Sequence, residues 1–208
     1  MTKKLVILGA GIGGLSVLKE LAESKVPLDD PDITMVDEDF SHFLGFTLPW
    51  VMLGWRDQAS VAITPGSNAL AGVRRVQSAV HGIDPTSRTV TLVNGTDVAF
   101  DALVIATGAR NAIDNIPSLR GTVDNGAAVH FYSADAAAQA HQALRAFTGG
   151  RLVVLVTSQP YRCPVAPYEG ALLAADLLRD NWVARRHRNR HLHARKASDA
   201  FGGPPRGT

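Results

Sequence analysis

Three glycines near the start of the chain have the spacing of a phosphate-binding turn. Gly9, Gly11 and Gly14 follow the apolar run 5–8 in the pattern G-x-G-x-x-G. The first glycine allows a sharp turn out of a strand, the second leaves room for a diphosphate, and the third lets a helix pack closely on a sheet. The phosphates would accept hydrogen bonds from free N–H groups at the helix start. The pattern therefore predicts a dinucleotide site, whose residues are Gly9, Gly11, Ile12, Gly13 and Gly14.

Acidic side chains follow the next apolar run, residues 33–36, about twenty positions beyond the glycines. A carboxylate at this place accepts hydrogen bonds from the ribose hydroxyls of a dinucleotide. Asp37, Glu38 and Asp39 all lie near the end of the run, and Asp37 is favoured because it comes first. The alternative is a structural turn with a solvated acidic loop. The agreement of strand, glycine turn, helix and acidic residue favours the nucleotide site.

Cys163 is the single cysteine of the 208 residues. One thiol excludes an intrachain disulfide, a redox dithiol within the chain and a metal site built from several thiolates. Arg162 beside it and the start of a following helix would favour the nucleophilic thiolate. The alternative is a small buried apolar residue, which is the more common state of an isolated cysteine.

Hydrophobic periodicity indicates the elements that must position these residues. The run 5–8 predicts a strand buried on both faces, and Leu15, Leu18 and Leu21 predict a helix after the glycines. A second strand is predicted for 33–36. This order is typical of an α/β fold with a parallel sheet. Between helix and strand, the prolines of segment 25–31 predict a surface loop.

The segment 37–58 is rich in aromatic residues interleaved with glycine and proline. One interpretation is a loop packed by its own aromatic side chains. The other is that Gly45 and Pro49 bring the backbone near a flat ring system. Composition leaves both open.

Short alternating segments follow and predict a small antiparallel β insertion. Strands are expected over 73–80, 89–93 and 98–100, with Asn94-Gly95 as a hairpin turn. A buried run, 102–106, then precedes Thr107 and Gly108. A strand that ends in this way brings its backbone close to a ligand at the carboxyl edge of the sheet. Thr107 and Gly108 are therefore candidate ligand contacts.

The later part of the chain predicts the start of a second, incomplete nucleotide fold. Ser133 is expected to cap a helix over 134–147, a buried strand is expected over 151–157, and a helix over 166–179. The turn between the last two lacks a glycine triplet and contains three prolines. It is a poor phosphate cradle, so we predict no nicotinamide dinucleotide there.

Charge is unevenly distributed although the net charge is only +2. From residue 181 onward, Asp199 is the single acidic residue. The basic residues of this tail are Arg185, Arg186, Arg188, Arg190, Arg195, Lys196 and Arg206. Such a tail cannot form a core, and we expect it to be disordered. The rest is mildly acidic, so no nucleic-acid partner is predicted. The tail histidines lack a scaffold and a carboxylate partner, so no metal site is predicted either.

No apolar run reaches the length of about 18 residues that a spanning helix needs. The first residues lead directly into a strand rather than a leader sequence, which predicts a cytoplasmic protein.

Over residues 4–180 the chain resembles the amino-terminal half of the sulfide:quinone oxidoreductases and related flavoproteins of the FAD-dependent pyridine nucleotide-disulfide oxidoreductase superfamily. The most specific marks are VILGAGIGG, LPWVMLGW, DALVIATGA and the segment Cys163-Pro-Val-Ala-Pro-Tyr-Glu169. The resemblance implies a Rossmann-like FAD-binding domain over 1–125 that lacks its carboxyl-terminal return. It implies the start of a second dinucleotide-fold domain over 126–180, followed by the basic tail 181–208.

The resemblance also implies residue roles. The glycine turn would hold the FAD diphosphate, Asp37 with Glu38 the adenosine ribose, and Thr107 with Gly108 the flavin nucleotide. Backbone near adenine would come from Ser78, Ala79 and Val80, and Pro49 would lie near the isoalloxazine. Cys163 matches one cysteine of the redox pair of sulfide-oxidising members.

This sequence departs from that pattern at several points. The resemblance implies that the second redox cysteine, the quinone pocket and the membrane-associating helices belong to a carboxyl-terminal half, which we expect this chain to lack. A further family cysteine would fall near Tyr132 and Ser133, and neither is a thiol. The leading interpretation is a truncated FAD-binding oxidoreductase, catalytically incomplete as this chain, with a quinone or another small molecule as acceptor. One alternative is a non-catalytic or vestigial FAD-binding module, which could be an oligomer or a subunit beside a separate carboxyl-terminal chain. The other alternative is a type II NADH dehydrogenase-like enzyme.

Overall fold

The computed structural model describes residues 2–24 and 31–180. The predicted loop therefore lies mostly outside the described residues, and the predicted disordered tail lies entirely outside them. The chain divides into two compact units. The first consists of the described residues of 1–44 and 62–111, and the second of those of 45–61 and 112–208. The predicted domain bounds at 125 and 180 remain predictions.

The helices and strands follow the order strand, helix, strand that the glycine pattern requires. The strands are β1 (Lys4–Leu8), β2 (Asp32–Asp37), β3 (His42–Phe43), β4 (Ala62–Ile63), β5 (Val73–Gln77), β6 (Val80–Asp84), β7 (Thr89–Leu92), β8 (Asp97–Ala99) and β9 (Ala102–Ile105). The helices are α1 (Ile12–Glu23), α2 (Leu48–Leu53), α3 (Leu119–Asp124), α4 (Ala134–Ala146) and α5 (Ala166–Asp180).

A parallel sheet with the order β5-β2-β1-β9 is the centre of the first unit. β1 pairs with β2 on one side and with β9 on the other, so it is covered by two hydrogen-bonded neighbours. Val6, Ile7 and Leu8 are buried because strands inside such a sheet bury both faces. This strand order is that of a Rossmann-type nucleotide fold, and it confirms the predicted α/β class.

The predicted antiparallel insertion is also confirmed. β6, β7 and β8 form an antiparallel sheet, and Asn94-Gly95 turns the chain from β7 into β8. Gly95 has φ +82°, and its N–H donates to the carbonyl of Leu92 at 2.9 Å. The single strand expected over 73–80 is in fact two strands. The chain leaves the parallel sheet at Gln77 and enters the antiparallel sheet at Val80.

The second unit is a cluster of helices. α2, α4 and α5 bury a shared apolar core that includes Met52, Leu144 and Leu178. α2 falls inside the aromatic segment for which a loop was one interpretation. Ser133 does occupy the position before α4, as predicted, but its side chain makes no capping hydrogen bond among the described residues. Its carbonyl accepts the N–H of Ala137 at 2.9 Å, which is the first hydrogen bond of the helix.

The prediction of a buried strand over 151–157 is wrong. The segment has only an isolated bridge residue at Val153, and the side chains of Val153 and Leu155 are 55% and 70% exposed. A strand is buried on both faces only when neighbouring strands and helices cover it. In the described residues of this unit no other strand is present to pair with it. Of the predicted second βα unit, the helix forms and the strand does not.

Candidate dinucleotide-binding site

Gly9 makes the turn at the end of β1. It has φ +100°, a left-handed conformation that residues with a Cβ rarely adopt. A Cβ at this position would lie 2.3 Å from the carbonyl oxygen of Ala106, just after β9. Its own N–H donates to the carbonyl of Val36 at 2.8 Å. The first glycine is therefore required by the close approach of two strand ends.

Gly14 allows α1 to lie against the turn that precedes it. A Cβ on Gly14 would be 1.9 Å from the carbonyl oxygen of Gly9 and 3.3 Å from a side-chain methyl of Ile7. Gly14 is buried, and it is followed along the same helix by buried Leu18. The third glycine is thus required by packing between helix and strand, as the spacing predicts.

Gly11 differs from these two glycines because protein packing does not require it. Among the described residues, the nearest atom to a Cβ built on Gly11 is Nδ1 of His42, at 4.0 Å. Gly11 precedes α1, and no side chain of the described residues caps that helix start. The next two residues are exposed, Ile12 by 68%. This open helix start fits a diphosphate, which needs close access to backbone N–H groups.

Asp37 joins the turn after β1 to the turn after β2. Its Oδ2 accepts the N–H of Ala10 at 2.7 Å, and its Oδ1 accepts those of Phe40 at 2.9 Å and Asp39 at 3.3 Å. Phe40 has φ +55°, and its buried ring lies beneath the Arg75 guanidinium at 4.8 Å. The carboxylate therefore fixes the backbone of both turns.

Burial of Asp37 acts to raise the pKa of its carboxyl group. The hydrogen bonds from the N–H groups of Ala10, Phe40 and Asp39 stabilise the carboxylate and act in the opposite direction, as does nearby His42. The net effect lowers the pKa below its usual value. Asp37 is therefore an anion next to the glycine turn at neutral pH.

The other predicted contacts in this unit lie at strand ends. Glu38 is exposed and directly follows β2. Ser78 donates its N–H to the carbonyl of Asp37 at 2.9 Å, which places the segment of Ser78, Ala79 and Val80 beside the β2 exit. Thr107 and Gly108 are exposed just beyond β9, whose neighbour Ala106 donates to the carbonyl of Leu8 at 2.8 Å. All these positions follow the carboxyl ends of strands of the parallel sheet.

His42 is a site residue that the sequence did not single out. It lies on β3, and its Nε2 is 3.2 Å from Oδ2 of Asp37. The signal in the sequence was weak, because a lone histidine five positions after an acidic residue has no pattern of its own. Asp37, Asp39 and His42 bring possible metal-ligand atoms within 4.8 Å of one another. Both oxygens of Asp37 already accept backbone N–H groups, so the cluster is explained by the turn itself.

Pro49 and Cys163 lie in the second unit. Pro49 is buried in the first turn of α2. Cys163 is exposed, with φ +57°, and its carbonyl accepts the N–H of Ala166 at the start of α5 at 3.0 Å. The cysteine is therefore not the buried apolar residue that was its alternative interpretation.

Arg162 and Tyr132 hold the segment that carries Cys163. The guanidinium of Arg162 donates to the carbonyl of Tyr132 at 3.0 Å and lies 5.4 Å from the centre of its ring, while the Tyr132 hydroxyl donates to the carbonyl of Arg162 at 3.0 Å. Burial raises the pKa of Tyr132, the nearby Cys163 raises it further, and Arg162 acts to lower it. The position where the resemblance expects another cysteine is thus next to Cys163, but it carries a phenol.

No helix within residues 2–24 and 31–180 combines the length and the apolar character needed to cross a bilayer.

The chain is similar in sequence to known oxidoreductases. The aligned part is 31% identical over 114 residues to a sulfide-quinone reductase of Aquifex aeolicus, covering 53% of this chain and 25% of that protein. It is 28% identical over 155 residues to an NADH dehydrogenase-like protein of Mycobacterium tuberculosis, covering 72% of this chain and 36% of that protein. The chain thus aligns with well under half the length of these relatives.

The crystal structure of the sulfide:quinone oxidoreductase from Aquifex aeolicus superposes with a TM-score of 0.72 at 23% identity. The superposition covers 89% of this chain and 42% of that chain, and at this identity it supports the fold. The family model described as pyridine nucleotide-disulphide oxidoreductase matches residues 3–155, which is more than half of the 208. The chain therefore belongs to the pyridine nucleotide-disulphide oxidoreductase family.

Proposed function

We propose that this chain binds FAD at the glycine turn and belongs functionally to the oxidoreductases of sulfide:quinone type. The observation that carries the proposal is the contrast among the three glycines. Neighbouring backbone requires Gly9 and Gly14, because an added Cβ would lie 2.3 Å and 1.9 Å from carbonyl oxygens, whereas the space at Gly11 is open. Packing within the protein does not require a glycine at position 11. The close approach of a diphosphate to the backbone does require one.

The helix start supplies the diphosphate contacts in this proposal. Backbone N–H groups around Gly11, Ile12 and Gly13 are at the positive end of α1, and they lie in an exposed part of the turn. No side chain of the described residues competes for them as a cap. The diphosphate would therefore bind to backbone N–H groups, and substitutions that add a side chain at Gly11 would weaken this binding.

The ribose contact falls on the acidic pair Asp37 and Glu38. Asp37 holds the turns through the N–H groups of Ala10 and Phe40, and its side chain is buried. Glu38 is exposed, and none of the described residues donates a hydrogen bond to its side chain. In this arrangement Asp37 positions the site and Glu38 offers the more accessible carboxylate. Thr107 and Gly108 approach the nucleotide from the end of β9.

FAD, when bound, supplies electron-transfer chemistry that protein side chains lack. The contribution of the described residues is to bind the ADP portion and to orient it at the sheet edge. The electron donor proposed by family likeness is sulfide, and the acceptor is a quinone or another small molecule.

The test is to purify the chain, record its visible spectrum and measure FAD affinity by quenching of flavin fluorescence. Gly11→Val should weaken binding by about 100-fold or more, because a branched side chain would fill the diphosphate space. Gly82→Val is the matched control, since Gly82 lies on β6 in the same unit with open space around it. Equal affinity in wild type and Gly11→Val would show that flavin binds elsewhere or not at all.

A second candidate function is an FAD-binding module without sulfide chemistry. Two observations favour it: the chain has one cysteine, and the strand expected over 151–157 does not form in the described second unit. Anaerobic addition of sulfide separates the two. Bleaching of bound flavin that is lost in Cys163→Ser supports the oxidoreductase, whereas bound flavin that does not bleach supports the module.

The NADH dehydrogenase-like alternative has the M. tuberculosis relative in its favour. Against it is the turn 157–169, which has no glycine triplet and contains three prolines. Adding NADH in place of sulfide tests it, and rapid bleaching by NADH would favour this function.

A further inference from the structure

His42 occupies an unusual place beside the glycine turn. It lies on β3, where it pairs with Ile63 of β4. Its side chain is 34% exposed, yet Nε2 is enclosed and has no well-directed hydrogen bond with any described residue. The exposed part of the ring is therefore not its Nε2 end.

The two ring nitrogens of His42 face different surroundings. Nε2 lies 3.2 Å from Oδ2 of Asp37, the oxygen that also accepts the N–H of Ala10. Nδ1 is 4.0 Å from the point that a Cβ on Gly11 would occupy. The ring therefore lies between the carboxylate and the open space at Gly11.

Two carboxylates, those of Asp37 and Asp39, lie near the ring. Asp37 is held as an anion by backbone N–H groups, and a carboxylate oxygen of Asp39 also lies within 4.8 Å of the ligand atoms of His42 and Asp37. A carboxylate beside Nε2 favours the neutral tautomer with its N–H on that nitrogen, which leaves Nδ1 as a hydrogen-bond acceptor. Nδ1 is then the polar atom available to a ligand.

We propose that His42 is a nucleotide-binding residue. The Asp37 carboxylate lies beside its Nε2, and its Nδ1 accepts a hydrogen bond from a ribose hydroxyl of a dinucleotide bound at Gly11. The inference rests on the proposed function and adds to it a side chain that the glycine pattern does not include. It also gives Asp37 a second role, which is to position this ring.

Two substitutions distinguish the two nitrogens. His42→Asn places an amide near the position of Nδ1 and removes the contact with Asp37, whereas His42→Gln places an amide near Nε2 and removes the group that faces Gly11. ADP is the probe, and calorimetry measures its affinity for the flavin-free chain. His81→Asn is the control, because His81 is exposed on β6 in the same unit.

We expect His42→Asn and His81→Asn to bind ADP within about threefold of wild type, and His42→Gln to bind about tenfold more weakly, the loss expected for one hydrogen bond. A purely structural histidine would give the reverse order, with His42→Gln the better variant, and this result would overturn the proposal. Equal affinity in all four proteins would overturn it as well.

A measurement on wild type removes the dependence on how well the variants fold. ADP should shift the ¹⁵N resonance of His42 Nδ1 and leave the resonances of His81 in place. If wild type binds ADP and the His42 resonance does not move, the histidine has no role in binding while the proposed function stands. If wild type binds neither ADP nor FAD, the proposed function itself fails, and the role of His42 fails with it.

Discussion

Two turns within the described residues each lead from an apolar segment into a helix, and they differ in the contacts that their residues make. At the first, residues 8–14, strand, turn and helix are joined by backbone at distances that only glycine permits. At the second, residues 157–166, the turn contains prolines and the exposed Cys163, and it follows a segment that does not form a strand.

The difference shows what a βα unit needs beyond its own sequence. β1 is enclosed by β2 and β9, so the main-chain groups at its end have fixed neighbours. Segment 151–157 has apolar residues of the right kind, but Leu155 is 70% exposed because no described strand of its unit lies beside it. Helix α5 forms nevertheless, since its apolar face packs on α2 and α4. A helix can be completed by packing alone, whereas a strand requires partners.

Among the substitutions considered, Gly14→Ala should cause the largest loss of stability, because it disrupts the first turn. Its new Cβ would lie 1.9 Å from the carbonyl of Gly9, so helix and turn would have to separate. We expect a loss of about 4 kcal/mol in the free energy of unfolding, measured in urea. Gly13→Ala is the control, with its Cβ at 3.3 Å from that of Ala106, and it should lose less than about 1 kcal/mol. Equal stability of the two variants would contradict the packing role of Gly14.

Leu178→Ala tests whether the second region is held by its helices. Leu178 is 1% exposed in the core shared with α2 and α4, and its truncation should lower the free energy of unfolding by about 3 kcal/mol. Leu172 lies on the same helix and is 73% exposed. Leu172→Ala should change the stability by less than about 0.5 kcal/mol. Similar effects of the two variants would mean that α5 does not bury Leu178 against α2 and α4.

Asp37→Asn removes the charge that joins the two turns of the first region. An amide provides one oxygen where the carboxylate provides two, so the loss should be about 2 kcal/mol at pH 7. The lowered pKa of Asp37 fixes the pH dependence: its stabilisation is present above the unfolded-state pKa and is lost as the pH falls through the lower folded-state value.

The free energies of unfolding of wild type and Asp37→Asn should therefore converge as the pH falls below the unfolded-state pKa of an aspartate, about 3.9. Urea unfolding at a series of pH values measures this difference. A difference that stays constant across the range would mean that the carboxylate of Asp37 is not stabilised by the turn.

Cys163→Ser should have the smallest effect on stability, less than about 0.5 kcal/mol, because the side chain is exposed. The same exposure predicts that one thiol per native chain reacts with a colorimetric thiol reagent without denaturant. A thiol that reacts only after unfolding would show that the second turn encloses the Cys163 side chain.

The part of the fold that could be predicted from sequence is the part determined by local contacts. Gly9, Gly14 and the Asn94-Gly95 turn follow rules that involve few neighbours, and all three lie where the sequence predicts them. The break between Gln77 and Val80 could not be predicted, because the apolar alternation continues while the strand partners change. His42 was missed for a related reason, since its position beside Asp37 and Gly11 arises from pairing of β3 with β4. The bonds of Asp37 to both turns likewise depend on the folded backbone.

The central claim is that the open space at Gly11 holds a dinucleotide diphosphate, and ADP binding to the flavin-free chain tests it most directly. Calorimetry should show saturable binding to wild type and to Gly82→Val, and a loss of about 100-fold or more in Gly11→Val with no more than about 1 kcal/mol change in stability. Binding of ADP by Gly11→Val with wild-type affinity would contradict the account.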